Sequence, residues 1–169
     1  MSTEIERKFL IDPDLFKTCV ASCSPTTQSQ IIQGYLSRKP AVRVRHTSTG
    51  PSHSHPQGFI TVKGSGNIVR SEWEYTIPAA EALEMMSLCD CALRKVRYTL
   101  PIWNLGPYHN LKWEVDEFLG NLEGLWVAEI ELPDPNAEFP LPVWLGKEVS
   151  EDPRYSNAAL ALAQTIPTP

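Results

Sequence analysis

Charged residues alternate with apolar residues along most of the strand-like segments of this chain, and this two-residue period constrains its fold more than any other feature. In the N-terminal stretch STEIERKFLI, residues 2–11, Glu4, Glu6 and Lys8 fall on one side of an extended chain. Ile5 and Phe9 fall on the opposite side. The same period recurs in the segments 41–46, 58–63, 70–77, 93–100, 110–119 and 126–132. Each of these strands is therefore expected to have one charged and one apolar face. In the segment 110–119 the apolar face is expected to carry Trp113, Val115 and, if the strand bends slightly, Phe118.

The charged face is nearly free of neutral polar residues. Its acidic members are Glu4, Glu6, Glu72, Glu74, Glu114, Asp116, Glu129 and Glu131. Its basic members are Lys8, Arg43, Arg45, Lys63, Arg70, Lys95, Arg97 and Lys112. A sheet face that only meets water usually mixes Ser, Thr, Asn and Gln with its charges, so this composition indicates that the face has a chemical task.

The order of elements predicts a mainly β, α+β fold with about eight strands, including one at 30–37, and three helices. The helices are expected at 13–23, at 79–90 and from about Pro153, while 47–58 is expected to be an exposed, mobile loop and 133–146 to be irregular. Links of hairpin length favour antiparallel pairing. An open sheet would leave the charges in water, whereas eight strands closed into a barrel would enclose them in a lumen wide enough for one small ligand.

Composition limits the classes of protein that this chain can belong to. Its 169 residues fit one domain, 1–169, and the net charge of −5 gives no reason to expect binding to nucleic acid or to an anionic membrane. No apolar run is long enough to span a bilayer and no signal peptide is visible, so a cytoplasmic location is expected.

The mixture of bases and acids suits a metal-bound polyphosphate. Arg and Lys side chains bind phosphate oxygens, whereas clustered carboxylates bind hard cations such as Mg²⁺ or Mn²⁺. Phosphoryl transfer needs mainly alignment, neutralisation of charge and an activated nucleophile. The expected partner is therefore a small molecule that contains a polyphosphate group.

The N-terminal EIERK resembles the E-x-E-x-K signature of the CYTH superfamily, the triphosphate tunnel metalloenzymes. The segments RVR, TVK, RSEWE, KVR, WEVDEF, AEIEL and EVSEDPRYSNAALA are similar to the motifs of that family in the same order, from residue 3 to about 163. The resemblance implies an eight-stranded closed antiparallel barrel, or tunnel, with helices packed outside. It also implies a divalent-metal-dependent triphosphatase, whose partner would be a small molecule that contains a triphosphate group.

The resemblance implies roles for named residues. The triphosphate would be bound by Lys8, Arg43, Arg45, Lys63, Arg70, Lys95 and Arg97. Mg²⁺ or Mn²⁺ would be held by Glu4, Glu6, Glu129 and Glu131, with Glu72, Glu74 and Asp116 as further ligands. The catalytic group would comprise Glu4, Glu6, Lys8 and Lys95. Lys112 and Glu114 are selected by the shared face rather than by the family pattern.

Hydrolysis of inorganic triphosphate to pyrophosphate and phosphate is the leading hypothesis for the reaction. A nucleoside- or thiamine-triphosphatase and an adenylate cyclase share nearly all of these charges, and a non-catalytic polyphosphate- or nucleotide-binding module needs only the bases. Three aromatic residues, Trp73, Trp113 and Trp126, are expected to pack on the apolar face. Tyr35 is expected to pack as well, with a place at the tunnel mouth as the alternative, and His53 and His55 are expected to be exposed.

Overall fold

The computed structural model describes residues 2–21, 26–50, 54–65, 69–102 and 111–168, and for residues 2–4, 69 and 70 the backbone alone. Within these ranges the strands are β1 Ser2–Ile11, β2 Thr27–Arg38, β3 Ala41–Thr49, β4 His55–Lys63, β5 Val69–Ile77, β6 Ala92–Pro101, β7 Lys112–Phe118, β8 Trp126–Glu131 and β9 Leu145–Glu148. The helices are α1 Pro13–Ala21, α2 Ala79–Met86 and α3 Asn157–Leu160, with 3-10 turns at Gly120–Leu122 and Pro153–Tyr155.

All the strands pair in one antiparallel sheet with the order β5-β4-β3-β2-β6-β7-β8-β1-β9. The long strand β1 has three partners. Its residues 2–5 pair with residues 69–72 of β5, and its residues 6–10 pair with residues 127–131 of β8. The end of β1 also pairs with β9. The prediction of a mainly β, antiparallel fold with few helices is confirmed.

The expected number of eight strands is wrong, because β9 makes a ninth. This strand has only four residues, and it follows a Pro-rich stretch that was expected to be irregular as far as residue 146. Glu148 pairs with Phe9, and Leu145 pairs with Ile11. Four residues are too few to show an alternating pattern, so backbone pairing with β1 rather than local sequence makes this segment a strand.

The predicted loop at 47–58 is also largely strand. β3 continues to Thr49 and β4 begins at His55, so residues 47–49 pair with residues 55–57 in a long hairpin. The hydroxyl groups of Thr49 and Ser29 lie 3.0 Å apart, which extends the polar contacts to β2. Backbone pairing therefore overrides the polar, Pro-containing composition. His55 is exposed as predicted, and His53 lies outside the described residues.

Two of the helices are shorter than predicted. α2 ends at Met86 rather than at residue 90, and the C-terminal segment forms a 3-10 turn followed by the four-residue α3. Ser156 interrupts that segment, because its extended backbone (φ −66°, ψ 142°) ends the turn while its hydroxyl accepts from Ala159 N and caps α3. The predicted end of the first helix, residue 23, lies outside the described residues. No helix in the described ranges is long and apolar enough to cross a membrane.

The helices α1 and α2 pack on the apolar face of the sheet. Phe16 of α1 is buried against the rings of Tyr98, Trp126 and Trp144, with ring centres 5.4 to 5.7 Å apart. α2 approaches β4 so closely that a β-carbon at Gly58 would lie 2.9 Å from the β-carbon of Ala82. Trp113 and Trp126 are buried in this core, as predicted, and Trp73 is half-buried.

A second apolar group, the end cluster, lies at one end of the charged face. It consists of Leu93, Phe118, Leu122, Leu125, Val127, Val149, Tyr155 and Leu160, with Leu10 packed against it. Leu10 and Phe118 lie two residues beyond Lys8 and Asp116, and so occupy the charged side of their strands. Phe118 was expected on the apolar side of a bent strand, but regular alternation continues to the end of β7. The end cluster therefore bounds the charged face beside α3.

Candidate active site

A cavity of about 200 Å³ lies over the charged face. Its lining residues are Glu6, Arg43, Arg45, Lys63, Glu72, Glu74, Arg97, Lys112, Glu114, Glu129, Glu131 and Asn157. All but Asn157 belong to the sixteen residues of the predicted charged face. Seven strands contribute to this lining or to the ion pairs beneath it, so the charged faces of these strands meet at one cavity.

The Asp116 carboxylate, which is fully buried, joins two cations under the cavity. It accepts from Arg97 Nε and Nη2, both at 2.7 Å, and from Lys95 Nζ at 2.5 Å. Burial lowers the pKa of Lys95 to about 8, and neighbouring Arg97 lowers it too, against the attraction of Asp116. Arg97 also donates to Glu114 and, at 2.9 Å, to Glu129 Oε2.

Lys8 is a second buried ammonium, with the opposite balance of forces. Its Nζ contacts Glu129 and lies 3.1 Å from Glu6. Burial opposes its charge, but the two carboxylates prevail and raise the pKa of Lys8 above its ordinary value. Burial likewise opposes the charge of Glu129, but Lys8, Arg97 and Lys95 hold the pKa of that carboxyl well below its usual range. Both sites are therefore charged at neutral pH.

Arg43 and Arg45 share one carboxylate, that of Glu74. Arg45 Nη2 lies 3.0 and 3.1 Å from its two oxygens, and Arg43 Nη2 lies 3.6 Å from one of them. Burial, together with the neighbouring Arg43, lowers the pKa of Arg45 to about 10. The Nε atoms of both arginines are buried without a hydrogen-bond partner among the described residues. This corner of the cavity thus has donors and positive charge available for an anion.

On the other side of the cavity, carboxylates lie directly opposite each other on neighbouring strands. Glu6 pairs in register with Glu131, and Glu114 pairs with Glu129. Like charges directly opposite each other destabilise a sheet unless a cation lies near them. Within the described ranges, no group of three acidic, His or Cys side chains is arranged to bind a metal ion. The neighbouring bases neutralise these acids instead.

A family model described as CYTH domain matches residues 2–160 of the chain. The chain belongs to the CYTH family. It is 41% identical over 165 residues to an inorganic triphosphatase of Acetivibrio thermocellus, covering 95% of this chain and 94% of the relative. It is 33% identical over 171 residues to an inorganic triphosphatase of Nitrosomonas europaea, covering 95% and 98%.

A crystal structure of an inorganic triphosphatase superposes on the chain with a TM-score of 0.59. The two are 28% identical, and the match covers 99% of each chain. The resemblance to the CYTH family that the sequence shows is therefore confirmed, and it extends over nearly the whole chain.

In this CYTH domain, most of the residues proposed from the sequence come together. The charged-face side chains that the structure describes either line the cavity or, as for Lys8, Lys95 and Asp116, form an ion pair or a hydrogen bond with a residue that does. Lys112 lies at the exposed rim, 2.5 Å from Glu114. The backbones of Glu4 and Arg70 pair with each other in β1 and β5, and their side chains lie outside the description.

Three polar residues near the cavities of the CYTH domain were not selected by the charge pattern, because they are neutral. Thr61 accepts from Arg43 at 3.1 Å and donates to Glu74 at 2.8 Å, and its spacing of two from Lys63 was the available signal. Asn157 reaches the cavity from α3. Tyr35 lines a second cavity of about 140 Å³ with Lys8, and burial raises its pKa to about 12. Tyr35 is buried, as expected, and it also borders this cavity.

Proposed function

We propose that this CYTH domain hydrolyses inorganic triphosphate to pyrophosphate and phosphate. The observation that carries the proposal is the lining of the cavity, which consists of eleven charged side chains and one amide. Such a lining matches an inorganic polyanion with its counter-ions. The names of the two curated relatives, at 41% and 33% identity, support the same substrate.

The size and lining of the cavity favour an inorganic substrate over a nucleotide or thiamine triphosphate. Pockets for organic ligands typically measure about 300–1,000 Å³ and are lined mostly by apolar and aromatic groups. The main cavity measures about 200 Å³, and no aromatic or aliphatic side chain of the described residues lines it. A purine or thiazolium ring would therefore have no apolar surface to stack on there.

We also propose that strands β1 to β8 close into a tunnel around the substrate. The proposal is supported by β1, which pairs with both β5 and β8, the two ends of the remaining seven strands. It is supported again by Glu72 of β5 and Glu131 of β8, which line one small cavity. In a flat sheet six strand spacings would separate these strands by about 29 Å.

The donor set of the cavity fits Mg²⁺ or Mn²⁺, because it offers carboxylate oxygens, the ligands that these hard cations prefer. The two directly opposed carboxylate pairs place four side chains of this type close together. The residues that would hold it are Glu4, Glu6, Glu129 and Glu131, with Glu72, Glu74 and Asp116 alongside. When bound, such an ion would neutralise phosphate charge and acidify a bound water.

The basic residues would bind and align the phosphates. Arg43 and Arg45 would direct their buried Nε atoms to phosphate oxygens, with Lys63, Arg70 and Arg97 beside them. Lys8 and Lys95, both buried ammonium groups, would donate to the oxygens that gain charge as the anhydride bond breaks. Glu4 and Glu6 complete the proposed catalytic group on the same strand as Lys8. Lys8, Lys95 and Arg97 form ion pairs with the acids, whereas Arg43 and Arg45 share the one carboxylate of Glu74.

Parallel assays would test the proposal. Phosphate release from tripolyphosphate, ATP and thiamine triphosphate is measured with Mg²⁺, with Mn²⁺ and with a chelator, together with formation of cyclic nucleotide from ATP. We expect tripolyphosphate to give the highest kcat/KM and the chelator to abolish turnover. A higher kcat/KM for ATP or thiamine triphosphate would refute the assignment of the substrate.

Substitution of acids separates an enzyme from a binding module. Glu131→Gln removes a proposed metal ligand, and Glu138→Gln makes the same change at an exposed position as the matched control. We expect E131Q to lose turnover while tripolyphosphate still binds, and E138Q to behave as the wild type. Binding without turnover in the wild type itself would favour the non-catalytic module.

A further inference from the structure

Asn157 is the one side chain that enters the main cavity from outside the sheet, among the described residues that line it. Its Oδ1 accepts from Lys95 Nζ at 3.1 Å, and its Nδ2 lies 3.5 Å from Glu129 Oε1, to which it donates. An ammonium group can only donate and a carboxylate can only accept, so the two neighbours fix the orientation of the amide. Asn157 therefore links a buried cation to a buried anion.

The position of Asn157 is set by elements away from the cavity. It is the first residue of α3, and the Ser156 hydroxyl caps this helix by accepting from Ala159 N at 3.2 Å. Tyr155 and Leu160, each 2% exposed, anchor the segment in the end cluster. These contacts hold the amide of Asn157 at a defined position between Lys95 and Glu129. A residue on a flexible loop would not be held at one position.

The hydrogen bonds of Asn157 restrict the direction of its two neighbours. An ammonium group has three N–H donors, and those of Lys95 include one to Asp116 and one to Asn157. Two fixed donors of a tetrahedral group determine the direction of the third. Glu129 is held in the same manner, because Lys8 and Asn157 contact its Oε1 and Arg97 donates to its Oε2.

We propose that Asn157 is a positioning residue, whose amide aims the Lys95 ammonium and the Glu129 carboxylate at the bound triphosphate. The inference rests on the proposed function, because it needs a substrate in the main cavity. An amide suits this place because it satisfies both charged neighbours without adding a charge of its own. A carboxylate at the same position would lie beside Glu129 and repel it, and an aliphatic side chain would leave Lys95 and Glu129 each without one hydrogen bond.

The test compares Asn157→Leu, which removes both hydrogen bonds at similar size, with Asn157→Asp, which keeps the acceptor and loses the donor. Asn121→Leu and Asn121→Asp make the same changes at an exposed asparagine and serve as controls. Loss of an interaction that orients a metal ligand typically lowers activity about 10- to 100-fold. We expect kcat for tripolyphosphate to fall by this amount in both Asn157 variants, with KM unchanged and both controls like the wild type.

A second readout is independent of turnover. Calorimetric titration with tripolyphosphate in the presence of a chelator should give the same Kd for N157L as for the wild type, because the substitution removes no cation. Wild-type kcat in either Asn157 variant would overturn the inference, and so would a raised KM with unchanged kcat, which would make Asn157 a binding group. If N157L does not fold, N157D decides by the same criteria. An inactive wild type would instead refute the proposed function.

Discussion

Replacing Asp116 by Asn should destabilise the ligand-free protein strongly and make its stability depend on tripolyphosphate. Asp116 is fully buried and is the carboxylate that Lys95 and Arg97 share. The Asp116→Asn variant keeps the size of the side chain and removes its charge. Arg97 keeps its ion pairs with Glu114 and Glu129, whereas Lys95 keeps its hydrogen bond to the Asn157 amide. The variant therefore leaves one buried cation without its closest counter-ion.

The size of the effect follows from that one cation. Removing one partner of a buried ion pair costs about 3–5 kcal/mol. For a protein of this length about 2–4 °C of melting temperature correspond to each kcal/mol, so D116N should melt about 6–20 °C below the wild type. Bound tripolyphosphate can supply the missing negative charge, so a saturating concentration should raise the melting temperature of D116N more than that of the wild type.

Thermal unfolding without and with tripolyphosphate, in the presence of a chelator, measures both quantities. Asp90→Asn, the same change at an exposed residue, is the control and should shift the melting temperature by less than about 2 °C. The reasoning would be refuted if D116N melted with this control, or if tripolyphosphate stabilised D116N no more than the wild type.

Three further predictions concern the anion-binding corner, the packing of α2 and the pair between β1 and β9. Arg45→Gln should lower kcat/KM for tripolyphosphate about tenfold or more, since a hydrogen bond to a charged group contributes about 1.5–3 kcal/mol; equal kinetics for R45Q and the exposed control Arg94→Gln would contradict this. Gly58→Ala should lower the free energy of unfolding in urea by about 1–3 kcal/mol, because the new β-carbon would lie 2.9 Å from two backbone oxygens; an unchanged midpoint would refute such close packing. Hydrogen bonds from Arg7 above all lower the pKa of Glu148 from its ordinary 4.5, so the pair stabilises the protein above that pH and the stabilisation is lost as the carboxylate protonates. Glu148→Gln should therefore melt below the wild type at neutral pH, and this difference should vanish in acid; a difference independent of pH would contradict the assignment.

The alternation of residues along the chain was enough to predict which face of each strand is charged. Successive side chains of a strand point to opposite sides, so the spacing of two between Arg43 and Arg45, or between Glu129 and Glu131, decides the matter locally. The same period held at Phe118, where the sequence interpretation departed from it and was wrong. The polar composition of residues 47–58 led to the wrong prediction of a loop, because pairing in a hairpin depends on the partner strand and not on composition alone.

Contacts between residues that are distant in sequence could be seen only in the folded chain. β1 pairs with both β5 and β8, and the four-residue β9 pairs with β1. No local sequence pattern predicts these pairings. The same holds for Asn157, which α3 carries to Lys95 across 62 positions of sequence. A two-residue period specifies the side of a strand that a group occupies, but its neighbours are fixed by the backbone hydrogen bonds of the assembled sheet, and these form only when the whole chain folds.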